Sequence, residues 1–171
     1  TLANYREVFA GGTFAKYFLN SLIVATSTTL IALVLGAFAG YGFARFPFRG
    51  NTTVRLGALI PQMLPPITII VPLYVLFNSM SLIDTQWALI ISYLTFSIPL
   101  SIWMTTGFFA DVPVELEESA MIDGCTRLGA FFRISVPIAA PGLAATAVLS
   151  FIYCWNEFLY AVILTGRDAR T

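Results

Sequence analysis

Four stretches without a charged residue, 17–44, 56–83, 85–110 and 134–156, make up most of the chain. Each is 23 to 28 residues long, and a helix crossing the hydrocarbon core needs about 20 mostly apolar residues. The pattern predicts four transmembrane helices, near 17–45, 56–80, 86–110 and 136–157. Buried helices of a large soluble protein are usually shorter, and their neighbours show an amphipathic face that is missing here. Residues 111–135 interrupt the pattern: seven of the chain's eighteen charges fall within 111–133. Asp111 and Pro113 form a helix-start signal. In VELEESAMID, Leu116, Ala120 and Met121 fall along one side, with Glu115, Glu117 and Glu118 presented elsewhere. Gly124 stands where a helix ends in a left-handed residue. Thr126 can cap a second short helix carrying Leu128, Phe131 and Phe132, and Pro137 marks entry to the fourth span. The expected fold is all-α, a polytopic helix bundle with a helix–glycine–helix elbow at 111–135.

Composition agrees: 58% of residues are hydrophobic and 11% charged, against about 25% charged in a soluble domain. Such a chain cannot cover a globule with polar surface. Charge sets the orientation. The loop RFPFRGNTTVR holds Arg45, Arg49 and Arg55 with no acid, and positive short loops lie on the cytoplasmic side. Four successive spans then put the elbow on that side, with the hinge near Asp84 and both ends of the chain outside. An acidic elbow resting on the membrane would be repelled by anionic inner-leaflet lipid; it is better suited to a basic pocket on another protein. Cys125 falls in the elbow and Cys154 deep in the last span, which argues against a disulfide. Without histidine or a CxxC pair the sequence offers no metal site. Without a GxxxxGK[ST] loop it has no phosphate cradle of its own, and nothing in it suits nucleic acid. The chain starts at Thr1 without a signal peptide, so 1–171 reads as a single membrane domain, part of a longer one.

Polar and proline positions inside the spans carry the remaining signal. The second span holds Pro61, Pro65, Pro66 and Pro72. Each removes a backbone donor and tends to kink the helix, and the freed carbonyls need other partners. Such a helix belongs inside a bundle, either beside a pathway or merely kinked. In the first span Gly36, Ala39, Gly40 and Gly42 permit close helix packing. Gln62 follows Pro61. Tyr153, Asn156 and Glu157 lie near the outer end of the fourth span, about 28 Å beyond Pro137 at 1.5 Å per residue. Polar groups at that depth are costly in lipid. Gln62 and Asn156 are expected to face the interior of a pair of such membrane subunits, lining a path or tying helices together. Glu157 either belongs to that path or has reached the headgroup zone.

The elbow resembles the cytoplasmic loop of membrane subunits in binding-protein-dependent ABC importers, the loop named for Glu-Ala-Ala. Glu118-Ser119-Ala120 is followed by three residues and Gly124, then nine more to Ile134-Ser135-Val136-Pro137. Ser119 and Val136 are mild departures from the family's Ala and Leu. YFLNSLIVA, ARFPFRG and WNEFLYAVILT are similar to the carbohydrate branch, in particular maltose-transporter-like second permease subunits. The resemblance covers the whole chain, although such subunits usually have six spans and this chain lacks the first and last. It implies a type I importer permease fold in the cytoplasmic membrane. It also implies a heterodimer with a second permease, two ATP-binding cassette subunits carrying ATP and Mg, and an extracytoplasmic sugar-binding protein. This chain would hold no cofactor and catalyse no reaction. Glu117, Glu118, Ser119, Ala120, Asp123, Gly124 and Pro137 would form the ATPase-coupling element, with Glu117, Glu118 and Asp123 facing the ATPase cleft. Gln62, Tyr153, Asn156 and Glu157 are the candidate substrate path. The elbow is shared with importers of glycerol phosphate, amino acids or peptides, so sugar rests on the flanking resemblance. The farther alternative is an ion-coupled secondary transporter or a membrane scaffold; a secondary transporter would require intramembrane acidic or histidine partners, and the four charge-free stretches contain none.

Overall fold

The structure is a computed structural model and describes residues 13–46, 48–166 and 169–171. Its elements are helical: α1 (Thr13–Arg45), α2 (Asn51–Ala58), α3 (Ile60–Met63), α4 (Pro66–Ser79), α5 (Gln86–Ala110), α6 (Val114–Ile122), α7 (Arg127–Ala130), a π-helical turn (Phe131–Ser135), α8 (Val136–Asn156) and α9 (Leu159–Leu164). Among the described residues, three stretches are long and apolar enough to cross a membrane: Phe14–Arg45, Gln86–Ala110 and Arg127–Asn156.

The predicted second span is broken. Asn51–Met63 and Pro66–Ser79 meet at 87°, and only together do they have the length and composition of a fourth span. Pro65 and Pro66 lack the N–H groups that the carbonyls of Pro61 and Gln62 would take in a continuous helix. The Pro61 carbonyl is met by the Leu64 N–H instead, at 3.3 Å, and Leu64 turns to extended backbone. The fourth span also starts earlier than expected. The second arm of the elbow is no separate helix: α7 runs through the π-turn into α8, giving 30 residues from Arg127 to Asn156. Pro137 sits near the start of α8, where its missing donor breaks no bond that the π-turn has not already displaced.

The bundle is inverted relative to a soluble one. Thr28, Ser92, Ser97, Ser101, Thr105, Thr146 and Ser150 are buried, whereas Leu30, Val34, Val71, Val75, Trp103 and Val148 are exposed. Between helices in lipid, small polar side chains allow close approach and hydrogen bonding, while large apolar ones gain nothing by leaving lipid. The tightest contact runs between α1 and α5. Gly36 and Gly40 lie directly against Ser101 and Thr105, with no room for a Cβ at either glycine. The Thr105 hydroxyl shares its hydrogen between the carbonyls of Gly36 (2.8 Å) and Ser101 (2.7 Å). Gly42, expected to serve the same packing, faces open space.

Two apolar cores sit at opposite ends. One gathers Val24, Ile70, Phe77, Leu89, Tyr93, Phe96, Tyr160 and Leu164; the other gathers Tyr41, Phe109, Val112, Phe131 and Ala139 beneath the elbow. Asp84 closes the end away from the elbow. It adopts φ 60°, a left-handed conformation that Asp tolerates. Its Oδ1 accepts the N–H groups of Gly166 (2.8 Å) and Ala169 (3.0 Å).

Candidate functional site

At 1.5 Å per residue, α1 is about 50 Å long, more than the roughly 30 Å of a hydrocarbon core. Its last turns therefore reach past the apolar layer and bring Tyr41 and Arg45, four residues apart on one face, to the elbow. There they meet Glu117, which the sequence placed on the presented side of its helix. The reverse holds: Glu117 is 3% exposed, while its neighbour Leu116 is 45% exposed. Tyr41 donates its hydroxyl to Glu117 Oε2 at 2.7 Å. Arg45 Nε and the Ser135 hydroxyl donate to Oε1 at 2.8 and 2.7 Å. Arg45 Nη2 also donates to the carbonyl of Val112 at 2.7 Å. Burial alone would raise the Glu117 carboxyl, but the hydrogen bonds from Ser135, Tyr41 and Arg45, with the charge of Arg45, hold it below the usual glutamate value. Glu117 therefore does not present its charge to a partner, and the expectation that it faces a cleft is corrected. The helix turns inward at this position because one buried carboxylate can satisfy three donors that would otherwise lie unpaired beneath the elbow.

The second arm is held by rings. Phe131 packs against Tyr41 (centroids 4.7 Å apart), Phe38 (5.2 Å) and Phe109 (5.7 Å), and the Arg127 guanidinium lies 5.1 Å from the centre of Phe46. The π-turn brings both Phe131 and Ser135 into the interior. Gly124 has φ +91° and nothing within 4 Å of where a Cβ would stand, so backbone geometry alone requires glycine there. The Thr126 hydroxyl accepts the Gly129 N–H at 3.1 Å and caps α7.

What remains outside is both acidic and apolar. Glu115, Glu118, Ser119, Asp123 and Gly124 are exposed and Ala120 is partly so. Beside them, Leu116, Ile122 (87% exposed), Leu128 and Phe132 also face outward. A rigid surface of this kind suits a pocket with basic walls and an apolar floor.

The path candidates are divided between two cavities. Gln62 and Tyr153 come together across the break in the second span, lining about 200 Å³ with Leu64, Pro66, Phe96 and Leu100. Gln62 Nε2 donates to the Phe96 carbonyl at 3.1 Å. Asn156 and Glu157 line a separate cavity of about 380 Å³ with Tyr93, Trp155 and Arg170. Asn156 is exposed and bonds its own helix at the Ile152 carbonyl, 2.8 Å away. Glu157 is a connector: it accepts the Tyr93 hydroxyl at 2.9 Å and the N–H groups of Tyr160 (3.1 Å) and Ala161 (3.3 Å), joining α5 to the first turn of α9. The sequence reading missed Tyr41, Arg45 and Ser135. The i, i+4 spacing of Tyr41 and Arg45 was visible, but nothing local pairs them with an acid more than seventy positions away.

Residues 32–169 match the sequence profile described as "Binding-protein-dependent transport system inner membrane component". Curated relatives include the trehalose transport system permease protein SugB of Mycobacterium tuberculosis, 41% identical over 99% of this chain and 62% of that protein. The sulfoquinovosyl glycerol transport system permease protein SmoH of Agrobacterium fabrum is 34% identical over 99% of this chain and 59% of its own length. The diacetylchitobiose uptake system permease protein NgcG of Streptomyces coelicolor is 36% identical over 96% and 55%. The chain thus spans about three-fifths of the length of these relatives. Among solved structures, a bacterial ABC transporter involved in import of the acidic polysaccharide alginate superposes with a TM-score of 0.61 at 19% identity, covering 92% of this chain and 59% of that one. At that identity the likeness concerns the fold.

Proposed function

Because this chain belongs to the family of binding-protein-dependent transport system inner membrane components, we propose that it forms one membrane half of an ATP-driven carbohydrate importer. It pairs with a second permease subunit, and the elbow at 111–135 lies on the cytoplasmic face and docks on one of two ATP-binding cassette subunits. ATP and Mg are held there and the ATP is hydrolysed there, so the work of this chain is mechanical. An extracytoplasmic binding protein delivers the solute. The observation that carries the reading is the elbow itself, an exposed, acidic and apolar knob fastened to a bundle that turns many large apolar side chains outward. Carbohydrate as cargo is supported by the names of the relatives above. Gln62 and Tyr153, an amide beside an aromatic face at the broken span, are the side chains best suited to a sugar. Glu118 and Asp123 are the exposed acids of the Glu-Ala-Ala pattern, and charge-assisted hydrogen bonds from arginines in the cassette subunit would hold them.

Purification of the complex from its native membrane, followed by reconstitution with its binding protein, tests this. An ATP-hydrolysing subunit should co-purify, and ATP should drive uptake of a radiolabelled oligosaccharide. Failure of any ATPase to co-purify would sink the reading. Uptake of glycerol phosphate, amino acids or peptides in place of sugars would leave the elbow's role intact and correct the cargo. Glu118→Lys should weaken cassette binding, most at low salt, more than Glu115→Lys does; equal binding of both variants across a salt series would remove Glu118 from the contact.

A further inference from the structure

Glu117 lies in the middle of the exposed elbow, yet its carboxylate is bonded to three side chains from two other elements. Tyr41 and Arg45 come from the end of α1, and Ser135 from the π-turn that opens the last span. Arg45 also reaches the Val112 carbonyl at the start of the elbow, so one guanidinium bridges α1 to the start and the middle of the first arm. Arg45 and Glu117 side chains are 8% and 4% exposed, and Ser135 is fully buried. Without these bonds, the first arm is anchored mainly by its chain connections to α5 and α7, with Leu116, Ile122 and Glu118 turned outward.

We infer that Glu117 is a positioning residue, the buried hub through which the elbow is locked to α1, so that displacement of the elbow moves α1, α5 and the last span as one body. The hydrogen-bond directions constrain the arm in more than one way. Both carboxylate oxygens are held from α1, Oε2 by Tyr41 and Oε1 by Arg45, and Oε1 is held from the π-turn as well, so the arm can neither roll about its own axis nor slide along α1 without breaking a charge-assisted bond. The α1–α5 contact at Gly36, Gly40 and Thr105 then carries the displacement along the bundle, since two helices packed backbone to backbone have little freedom to slip. The chain's ordinary hydrophobic contacts beneath the elbow would fix its distance from the bundle but not its rotation.

The inference takes the driving motion from the proposed function, and its test separates the two. Spin labels are placed at Leu35 on α1 and Val114 on the elbow, both exposed, in a background with Cys125 and Cys154 replaced by alanine, within the intact membrane complex. Pulsed electron resonance gives their distance distribution, and the same preparation is assayed for ATP hydrolysis and solute uptake. Glu117→Gln keeps the volume and removes the charge. Tyr41→Phe removes one bond and serves if Glu117→Gln fails to assemble. Arg45→Lys keeps the charge but cannot bridge Glu117 and Val112 together. The expected result is a broadened distance distribution, with assembly and hydrolysis near wild type and uptake per ATP reduced about fivefold or more. A distribution as narrow as wild type overturns the inference, as does unchanged uptake per ATP, or a fall of assembly, hydrolysis and uptake in parallel. If the wild-type complex shows no ATP-driven uptake, the proposed function fails, and the distance distribution alone decides the lock.

Discussion

Glu117 and Glu118 are neighbours with the same chemistry, and a rotation of about 100° about the helix axis sends one into the protein and the other out of it. The buried one makes stability depend on acid. Its folded value lies below the ordinary 4.5, so the folded state binds the proton less readily than the unfolded chain. The contribution of Glu117 is therefore complete above about pH 4.5 and is lost as pH falls through the lowered folded value. Thermal unfolding in detergent from about pH 7 to about pH 3 should show wild type more stable than Glu117→Gln at neutral pH, by about 3–5 kcal/mol for a broken buried pair. The gap should close toward the acid end; a gap that stays constant with pH would contradict the assignment. Gly124 sets the second expectation at this scale. With φ +91° and empty space around it, the penalty for a side chain there is conformational, about 1 kcal/mol or more. Gly124→Val should destabilise the elbow and lower uptake while the protein still reaches the membrane. Gly124→Asn, which enters the left-handed region readily, should keep most of the activity. Equal loss in both variants would point to bulk and not to backbone.

At the level of the helices, the prolines of the second span act as a pair. Pro72 lies inside α4 without interrupting it, and Pro61 falls in the first turn of α3, where its missing donor matters least. Pro65 and Pro66 together remove two successive donors, and the helix breaks by 87° between them and Met63. Restoring both donors with Pro65→Ala/Pro66→Ala should let α3 and α4 join. Spin labels on Thr53 and Tyr74 should then move apart as the break opens toward a straight helix. The cavity shared by Gln62 and Tyr153 should close with it, lowering uptake. An unchanged distance would mean that packing against α5 and α9, and not the prolines, sets the bend. The number of prolines was plain in the sequence, but which of them break the helix depends on their register relative to the carbonyls four residues earlier. Likewise, charge density marked the elbow as a distinct segment, but its second arm is fused to the span: Gly129, Pro137, Pro141 and Gly142 all lie between Arg127 and Asn156 without stopping the helix.

Over the whole molecule, the arginine loop and the elbow share one end, held there by the Arg45–Glu117 pair, and the Asp84 hinge meets Gly166 and Ala169 at the other. The charge rule makes the arginine end cytoplasmic. In whole cells, a membrane-impermeant maleimide should label Ser81→Cys but leave Ser119→Cys unmodified until the membrane is opened; the opposite pattern would invert the topology. Much of this architecture follows from the sequence alone. Charge-free runs longer than a bilayer is thick allow little but helices, a cluster of charges must lie outside the hydrocarbon, and a glycine after an acidic helix marks a turn. Those features depend on a residue and its near neighbours. Tertiary structure decided the rest. It chose which glycines meet another backbone, Gly36 and Gly40 but not Gly42. It separated Gln62 and Tyr153 from Asn156 and Glu157. It turned Glu117 inward, because the energy of a buried carboxylate is set by the donors around it, and those donors, Tyr41, Arg45 and Ser135, reach it only when α1 and the last span have packed.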